Sequence, residues 1–99
     1  MVEYLYDAIR CSAGTYNMVN AYITDESDNL ITEGCYFVIH STGLVDEIVA
    51  RIEGKYDSEL GVWEFHIGPE VSNELRGRYM YCIMKDDTNL CFKQPIYFM

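Results

Sequence analysis

Apolar and polar residues alternate with a period of two in short runs along this chain, and turn-forming residues separate the runs. The clearest run is Val62 to Ile67, where Trp63, Phe65 and Ile67 share one face and polar residues occupy the other. Such alternation is typical of a β-strand that is buried on one side only. The pattern therefore predicts a small all-β domain.

Further strands are predicted on both sides of this run. In Tyr16 to Thr24 the uniformly apolar set is Val19, Ala21 and Ile23, so these three residues should face the core. The other predicted strands are Val2 to Arg10, Cys35 to His40, Arg78 to Met84 and Leu90 to Phe98, the last two forming a hairpin. Because proline cannot donate a ladder hydrogen bond, Pro95 predicts that the final strand is at a sheet edge or bulges there.

Two segments carry helical signals. In Leu44 to Ile52 the apolar residues fall at helical spacing, but the neighbouring strands and the β-branched residues favour an irregular extended strand, with a short helix as the alternative. Pro69 to Glu74 is predicted to form a single helical turn, since proline suits the first helical position and Glu70 suits an N-terminal turn.

The composition narrows the class of protein. The 99 residues predict a single domain, 1–99, with one core, and the formal net charge of -9 repels phosphate backbones. No apolar run approaches the length of a membrane span or of a signal peptide. We therefore expect neither nucleic acid nor a membrane as a partner, and we expect a cytosolic site of synthesis and assembly.

The four cysteines are predicted to be buried thiols that act as small apolar residues. None belongs to a Cys-x-x-Cys pair, and both histidines are distant in sequence, so no zinc site is expected. Cys82 and Cys91 flank the turn at Asp86 and Asp87 and can face each other across a hairpin. A cross-strand disulfide between them is the alternative.

The polar residues suggest no catalytic or metal site. Asp25, Glu26 and Asp28 lie together, but the spacing of a calcium loop is missing, so they predict a solvated turn. His66 and Glu64 share the polar face of a strand and can assist proton transfer, yet no nucleophile motif accompanies them. We expect no enzymatic activity, no metal and no cofactor.

Tyrosine is frequent in this chain, with nine residues. A tyrosine ring provides contact area at low entropic cost and is common at interfaces. Tyr79 and Tyr81 are predicted to pack inward. The candidate interaction residues are Tyr4, Tyr6, Tyr16, Tyr22 and Tyr36.

From Tyr16 to the C-terminus the chain resembles the immunoglobulin-like N-terminal domain of phage baseplate upper proteins and related small virion modules. The matching stretches are 21–29, 36–40, 61–67 and 69–81. The last of them combines a short turn, Gly77 and a Tyr-x-Tyr strand, which looks like the corner before the sixth strand of immunoglobulin-type sandwiches. The resemblance implies an antiparallel immunoglobulin-like β-sandwich of about seven strands with one short helical turn.

The same resemblance implies a function. It describes a phage virion structural protein that docks on or decorates capsid, neck, tail or baseplate proteins and is assembled in the host cytoplasm. Its partners are then other virion proteins, in a homo-oligomer or symmetric assembly.

Two other functions remain open. The first is a carbohydrate- or host-surface-binding module in which Tyr22 and Tyr36 stack on sugar rings. The second is an acidic inhibitor that mimics nucleic acid, which requires acidic residues clustered on one face. Since the acids fall mainly in predicted turns, we expect their charge to serve solubility.

Overall fold

The computed structural model describes residues 2–5, 8–42, 47–90 and 93–99. In this part of the chain the fold is all-β, as predicted, with two sheets packed around one core. The strands are β1 (Val2–Leu5), β2 (Ala8–Cys11), β3 (Asn17–Ala21), β4 (Cys35–His40), β5 (Ile48–Glu53), β6 (Lys55–Asp57), β7 (Val62–Ile67), β8 (Gly77–Lys85), β9 (Thr88–Asn89) and β10 (Gln94–Phe98). One helical turn, α1 (Pro69–Ser72), lies between β7 and β8. No helix in these ranges is long and apolar enough to cross a membrane.

The strand order defines a large and a small sheet. The large sheet has the order β1-β2-β10-β8-β4-β5, with β9 paired to β8, and the small sheet has the order β3-β7-β6. All pairs are antiparallel except β2 and β10, which run parallel. The prediction of a purely antiparallel sandwich is therefore wrong at this pair, because the β1–β2 hairpin reverses the chain before β2 joins the last strand.

The core lies between the sheets and confirms the predicted alternation of β7. Trp63, Phe65 and Ile67 are buried, and Phe65 packs on Phe37 of the opposite sheet with ring centroids 5.6 Å apart. Tyr81 stacks on the same Phe37 ring at 5.0 Å, as expected of an inward-facing tyrosine. Aromatic pairs at these separations contribute beyond their buried area.

The inward face predicted for β3 and the residues after it is also confirmed. Val19 and Ile23 are buried, and Ala21 packs against the core. Asn17, at the start of β3, is a buried polar residue whose amide donates to the Ser12 carbonyl at 2.9 Å and accepts from the Ser12 N–H at 3.0 Å. These bonds satisfy its side chain and close the turn that precedes β3.

The N-terminal prediction is wrong in one respect. Val2 to Arg10 is not a single strand, because β1 and β2 pair as an antiparallel hairpin in which Val2 lies opposite Cys11 and Leu5 opposite Ala8. Two short strands paired in this way form hydrogen bonds between their own backbone N–H and C=O groups. In a single extended strand of the same length, those groups would need partners from other strands.

The ambiguous segment is a strand where the structure describes it. β5 covers Ile48–Glu53 and pairs with β4 through a register shift at Ile39 and His40, which agrees with the predicted irregular strand. Residues 44–46 of that prediction lie outside the described residues. The predicted helical turn is confirmed by α1, whereas β6 and β9 are strands that the sequence pattern did not indicate.

The sequence predicted an edge strand or a bulge at Pro95, and β10 as a whole is neither, because it has a neighbour on each side and keeps a regular register with β8. β10 has β8 on one side and β2 on the other. The pairing with β2 begins only at Ile96, opposite Ile9, while Pro95 lies opposite Met80 of β8. Proline is tolerated because the strand has one neighbour at this position and gains the second after it.

Candidate functional site

Three turns meet at one end of the sandwich. They are the segment 22–34 between β3 and β4, the segment 57–61 between β6 and β7, and the segment 86–90 that follows β8. The Asp86 N–H donates to the Gly34 carbonyl at 2.9 Å, and the Trp63 indole N–H donates to the Ile31 carbonyl at 2.7 Å. These bonds tie the segment 22–34 to the segment 86–90 and to the core. The segment 57–61 approaches it at Gly61, where a Cβ would lie 3.7 Å from Leu30 Cδ1. We call the three segments together the loop end.

The loop end concentrates negative charge. It contains no lysine or arginine, and it holds half of the 16 acidic residues of the chain. These residues are Asp25, Glu26, Asp28, Glu33, Asp57, Glu59, Asp86 and Asp87. The acids that were expected to be scattered over separate turns are therefore gathered at one end of the molecule.

Two of these carboxylates hold the turns in shape. Asp25 Oδ1 accepts the backbone N–H groups of Ser27 at 2.8 Å and of Asn29 at 3.0 Å. Asp57 Oδ1 accepts the N–H groups two and three residues further on, at 3.0 and 3.2 Å. Such side-chain bonds to the local backbone stabilise turns, so these turns are ordered by their own residues.

Exposed leucines accompany the charge. Leu30, Leu60 and Leu90 are exposed to 40%, 72% and 36%, one in each segment of the loop end. Their position in the three segments adds apolar surface to the acidic turns. The loop end is thus both acidic and apolar.

A groove opens at the loop end. Its volume is about 220 Å³, and it is lined by Tyr22, Ile23, Thr24, Ile83 and Leu90. Tyr22 is exposed to 69%, so its ring forms an accessible wall. The groove offers apolar surface together with the Thr24 hydroxyl.

The sequence carried a signal for this site that the alternation analysis missed. Each acidic turn is followed within a few residues by a leucine, in 25–30, 57–60 and 86–90. Leu30 forms a β-bridge with Thr24, and the Leu90 N–H donates to the Ile83 carbonyl at 2.8 Å. The same order of acids followed by a leucine recurs in all three turns.

The predicted tyrosines do not form one surface. Tyr4 of β1 reaches across to the small sheet, where its hydroxyl accepts the Asn20 N–H at 2.9 Å, so it closes the edge of the sandwich. Tyr16 contacts His66 on the outer face of the small sheet. Tyr6 lies outside the described residues.

Tyr36 and Tyr22 lie on different sides of the large sheet. Tyr36 is paired with Met84 of β8, whereas the neighbouring Ile83, which lines the groove beside Tyr22, is on the opposite face of the same strand. The Arg51 guanidinium lies 4.0 Å from the centre of the Tyr36 ring and covers one face of it. Of the predicted residues that are described, Tyr22 is the one at the loop end.

His66 stands at the centre of a short hydrogen-bonded chain on the small sheet. Its Nδ1 bonds to the Tyr16 hydroxyl, and its Nε2 lies 3.2 Å from Glu64 Oε1. With Nε2–H donating to the carboxylate, Nδ1 accepts from tyrosine, so the chain can pass a proton between its ends. This hydrogen-bonded chain lies on an open sheet face, where water competes with each of its hydrogen bonds.

Cys82 and His40 pair a nucleophile type with a base type. Cys82 Sγ lies 3.3 Å from His40 Nε2, and both residues are buried. Burial lowers the pKa of His40, and the nearby Lys93 lowers it further. A lowered His40 pKa disfavours transfer of the thiol proton to the imidazole. Cys82 Sγ also lies 3.7 Å from Asn89 Oδ1, so the thiol has two polar neighbours.

The predicted buried thiols are confirmed for Cys11 and Cys35. Both are free and buried, and burial raises the pKa of Cys11 to about 11. Burial also raises the pKa of Cys35. Lys85 lowers this pKa and Asp86 raises it, both by less than burial does. Cys91 lies outside the described residues, so the Cys82–Cys91 pairing stays a prediction.

The His40 environment predicts a pH dependence of stability. Because the folded state has the lower pKa, the unfolded chain binds more protons below about pH 6.5, and the free energy of unfolding falls as the pH drops below this value. We expect His40→Gln to flatten this part of the profile, measured as urea midpoints from pH 7.5 to pH 5. Leu60→Ala, which removes no titratable group from an exposed position, is the control and should keep it. Identical profiles for His40→Gln and the unmodified chain would contradict the assignment.

No arrangement for a metal was found within the described ranges, where no three His, Cys, Asp or Glu side chains are grouped to hold one. Comparison of the chain with protein-family models, with curated proteins and with solved structures yields no match. Function therefore has to be argued from the site itself.

Proposed function

We propose that this chain is a non-enzymatic docking module that binds other proteins through its loop end. The observation that carries the proposal is the meeting of three acidic turns, two of them ordered by their own carboxylates and each presenting an exposed leucine, at one end of a packed sandwich. Loops held by a rigid scaffold are common binding sites. The edge strand β5 adds exposed Ile48 and Val49, and exposed edges also pair with other chains.

We further propose that the sandwich is immunoglobulin-like. The strands β3, β4, β5, β6, β7, β8 and β10 then correspond, in chain order, to the immunoglobulin strands B, C, C′, D, E, F and G. With this assignment the small sheet, β3-β7-β6, has the order B-E-D. The part β10-β8-β4-β5 of the large sheet has the order G-F-C-C′. At the start of β8 the Tyr79 hydroxyl accepts the Arg76 N–H at 3.4 Å, like the tyrosine of the corner before strand F. This likeness supports the resemblance drawn from the sequence.

A virion is the proposed setting of this docking module, on the strength of that resemblance. The module then joins or decorates capsid, neck, tail or baseplate proteins, where repeated weak contacts add up through symmetry. The test is mass spectrometry of purified particles from the phage that encodes the chain. We expect the chain at a fixed ratio to the major structural proteins. Its absence from washed particles would remove the virion assignment.

A carbohydrate-binding module is the second candidate, and the position of Tyr22 is the observation that favours it. The exposed Tyr22 ring stands beside a groove that also presents the Thr24 hydroxyl, and an aromatic ring next to polar groups suits a sugar. A glycan array separates the candidates. Saturable binding to defined glycans that is lost in Tyr22→Ala would favour adhesion over docking.

A further inference from the structure

We infer that the loop end binds a basic segment of a partner protein, in which an apolar side chain enters the groove and flanking lysines or arginines meet the acidic turns. The inference rests on the proposed docking function and specifies its partner. It follows from the charges that remain unpaired, from the size of the groove and from the net charge of the chain.

Several loop-end carboxylates are available to a partner. Asp25 and Asp57 accept backbone N–H groups, and Asp86 lies 3.6 Å from Lys85 Nζ. Five other exposed acids have no lysine or arginine nitrogen within 4.0 Å among the described residues; they are Glu26, Asp28, Glu33, Glu59 and Asp87. Their mutual repulsion is relieved when cations approach, which favours a basic partner.

The groove has the size of a side-chain anchor. Sites for small molecules usually enclose about 300–1,000 Å³, whereas this groove holds about 220 Å³. An apolar side chain placed there would contact Tyr22 and Leu90, with Leu30 and Leu60 elsewhere on the same end. A buried anchor surrounded by contacts that exclude water is the usual energetic centre of a protein interface.

The net charge of the chain favours a basic protein as the partner. Two copies of a chain with charge -9 repel each other, and nucleic acid is repelled in the same way. A basic protein surface is instead attracted and steered towards the loop end. The gathering of acids on one face is also the condition set above for the nucleic-acid mimic, but the exposed leucines fit a protein segment better than they imitate phosphates.

The test is a peptide titration of the full chain followed by ¹⁵N–¹H NMR. The probe is a heptapeptide with a central phenylalanine and three lysines on each side; the matched peptides carry a central alanine, or glutamates in place of the lysines. We expect saturable shifts confined to the loop end and the groove lining, including the amides of Ile23, Thr24 and Ile83. The alanine peptide should bind more weakly, and the glutamate peptide should not bind.

A matched pair of variants separates a site from general charge attraction. The triple variant Glu26→Gln, Glu59→Gln, Asp87→Asn removes unpaired charges and leaves the turn-forming Asp25 and Asp57 in place. The control variant Glu47→Gln, Glu70→Gln, Glu74→Gln makes the same change in net charge at the other end of the sandwich. We expect the loop-end variant to bind the lysine peptide about tenfold more weakly, and the control to bind it like the unmodified chain.

Three outcomes would overturn the inference. They are no saturable shifts at millimolar peptide, equal loss of affinity in both variants, and loop-end shifts that depend on protein concentration without peptide, which would identify a second copy as the occupant. Failure here is distinguishable from failure of the proposed function, because particle mass spectrometry reads out virion assembly independently of this peptide.

Discussion

Replacing Phe65 by alanine is expected to lower the free energy of unfolding by about 3–5 kcal/mol. Phe65 is fully buried between the sheets, with its ring 5.6 Å from Phe37 and 6.2 Å from Trp63, centre to centre. Its removal takes away contacts in both sheets and leaves a cavity that the rigid strands can fill only in part. Since small domains are stabilised by about 5–15 kcal/mol in total, this single change removes a large share of the stability.

Urea unfolding followed by circular dichroism measures this effect, with Trp63 fluorescence as a second probe. Leu60→Ala is the matched control, because Leu60 is exposed and its truncation should change stability by no more than about 0.5 kcal/mol. A cost below about 1 kcal/mol for Phe65→Ala would show that the two sheets do not pack across this ring.

Adding one methyl group at Gly54 should also destabilise the fold, by about 1–3 kcal/mol or more. Gly54 connects β5 to β6, and its N–H donates to the Cys35 carbonyl at 3.0 Å. A Cβ at this position would lie 2.6 Å from Phe65 Cε1 and 2.7 Å from Trp63 Cε3. Both rings are held by the core, so neither can move aside without disturbing its neighbours.

Gly68→Ala provides the comparison for Gly54→Ala. The atoms nearest to a Cβ at Gly68 belong to the carboxylate of Glu70, which is exposed and can rotate away. We expect its cost to stay at or below about 1 kcal/mol, the usual range for an N-cap change. Equal urea midpoints for the two alanine variants would contradict the close approach of Gly54 to the aromatic core.

The aromatic core that Phe65→Ala and Gly54→Ala disturb is connected to the loop end. Trp63, which stacks on Phe65, donates its indole N–H to the Ile31 carbonyl of the segment 22–34. The segment 22–34 is therefore joined to the core by this hydrogen bond and by its own buried residues Ile23 and Ile31. Leu30 is held in addition by a β-bridge to Thr24.

Local patterns predicted the parts of this fold that local physics controls. The alternation of Trp63, Phe65 and Ile67 identified β7 and its buried face, because side chains of a strand point to opposite sides at every step. β6 was missed, since three residues are too few to show a period. The β1–β2 hairpin was read as one strand, because the residues between the two strands, 6 and 7, carry no glycine, proline or asparagine as a turn signal.

For the candidate site, too, the sequence determined one part and the tertiary structure the other. The sequence by itself determined an all-β chain whose apolar residues lie in strands and many of whose acids lie in turns, since alternation and turn chemistry depend on neighbouring residues. It also placed Tyr22 among five candidate interaction tyrosines, and the structure showed that Tyr22 is exposed at the loop end. Only the tertiary structure decided that three acidic turns and their leucines meet at one end. The reason is that turns distant in sequence become neighbours through the order and direction of the strands, which long-range packing of the two sheets sets.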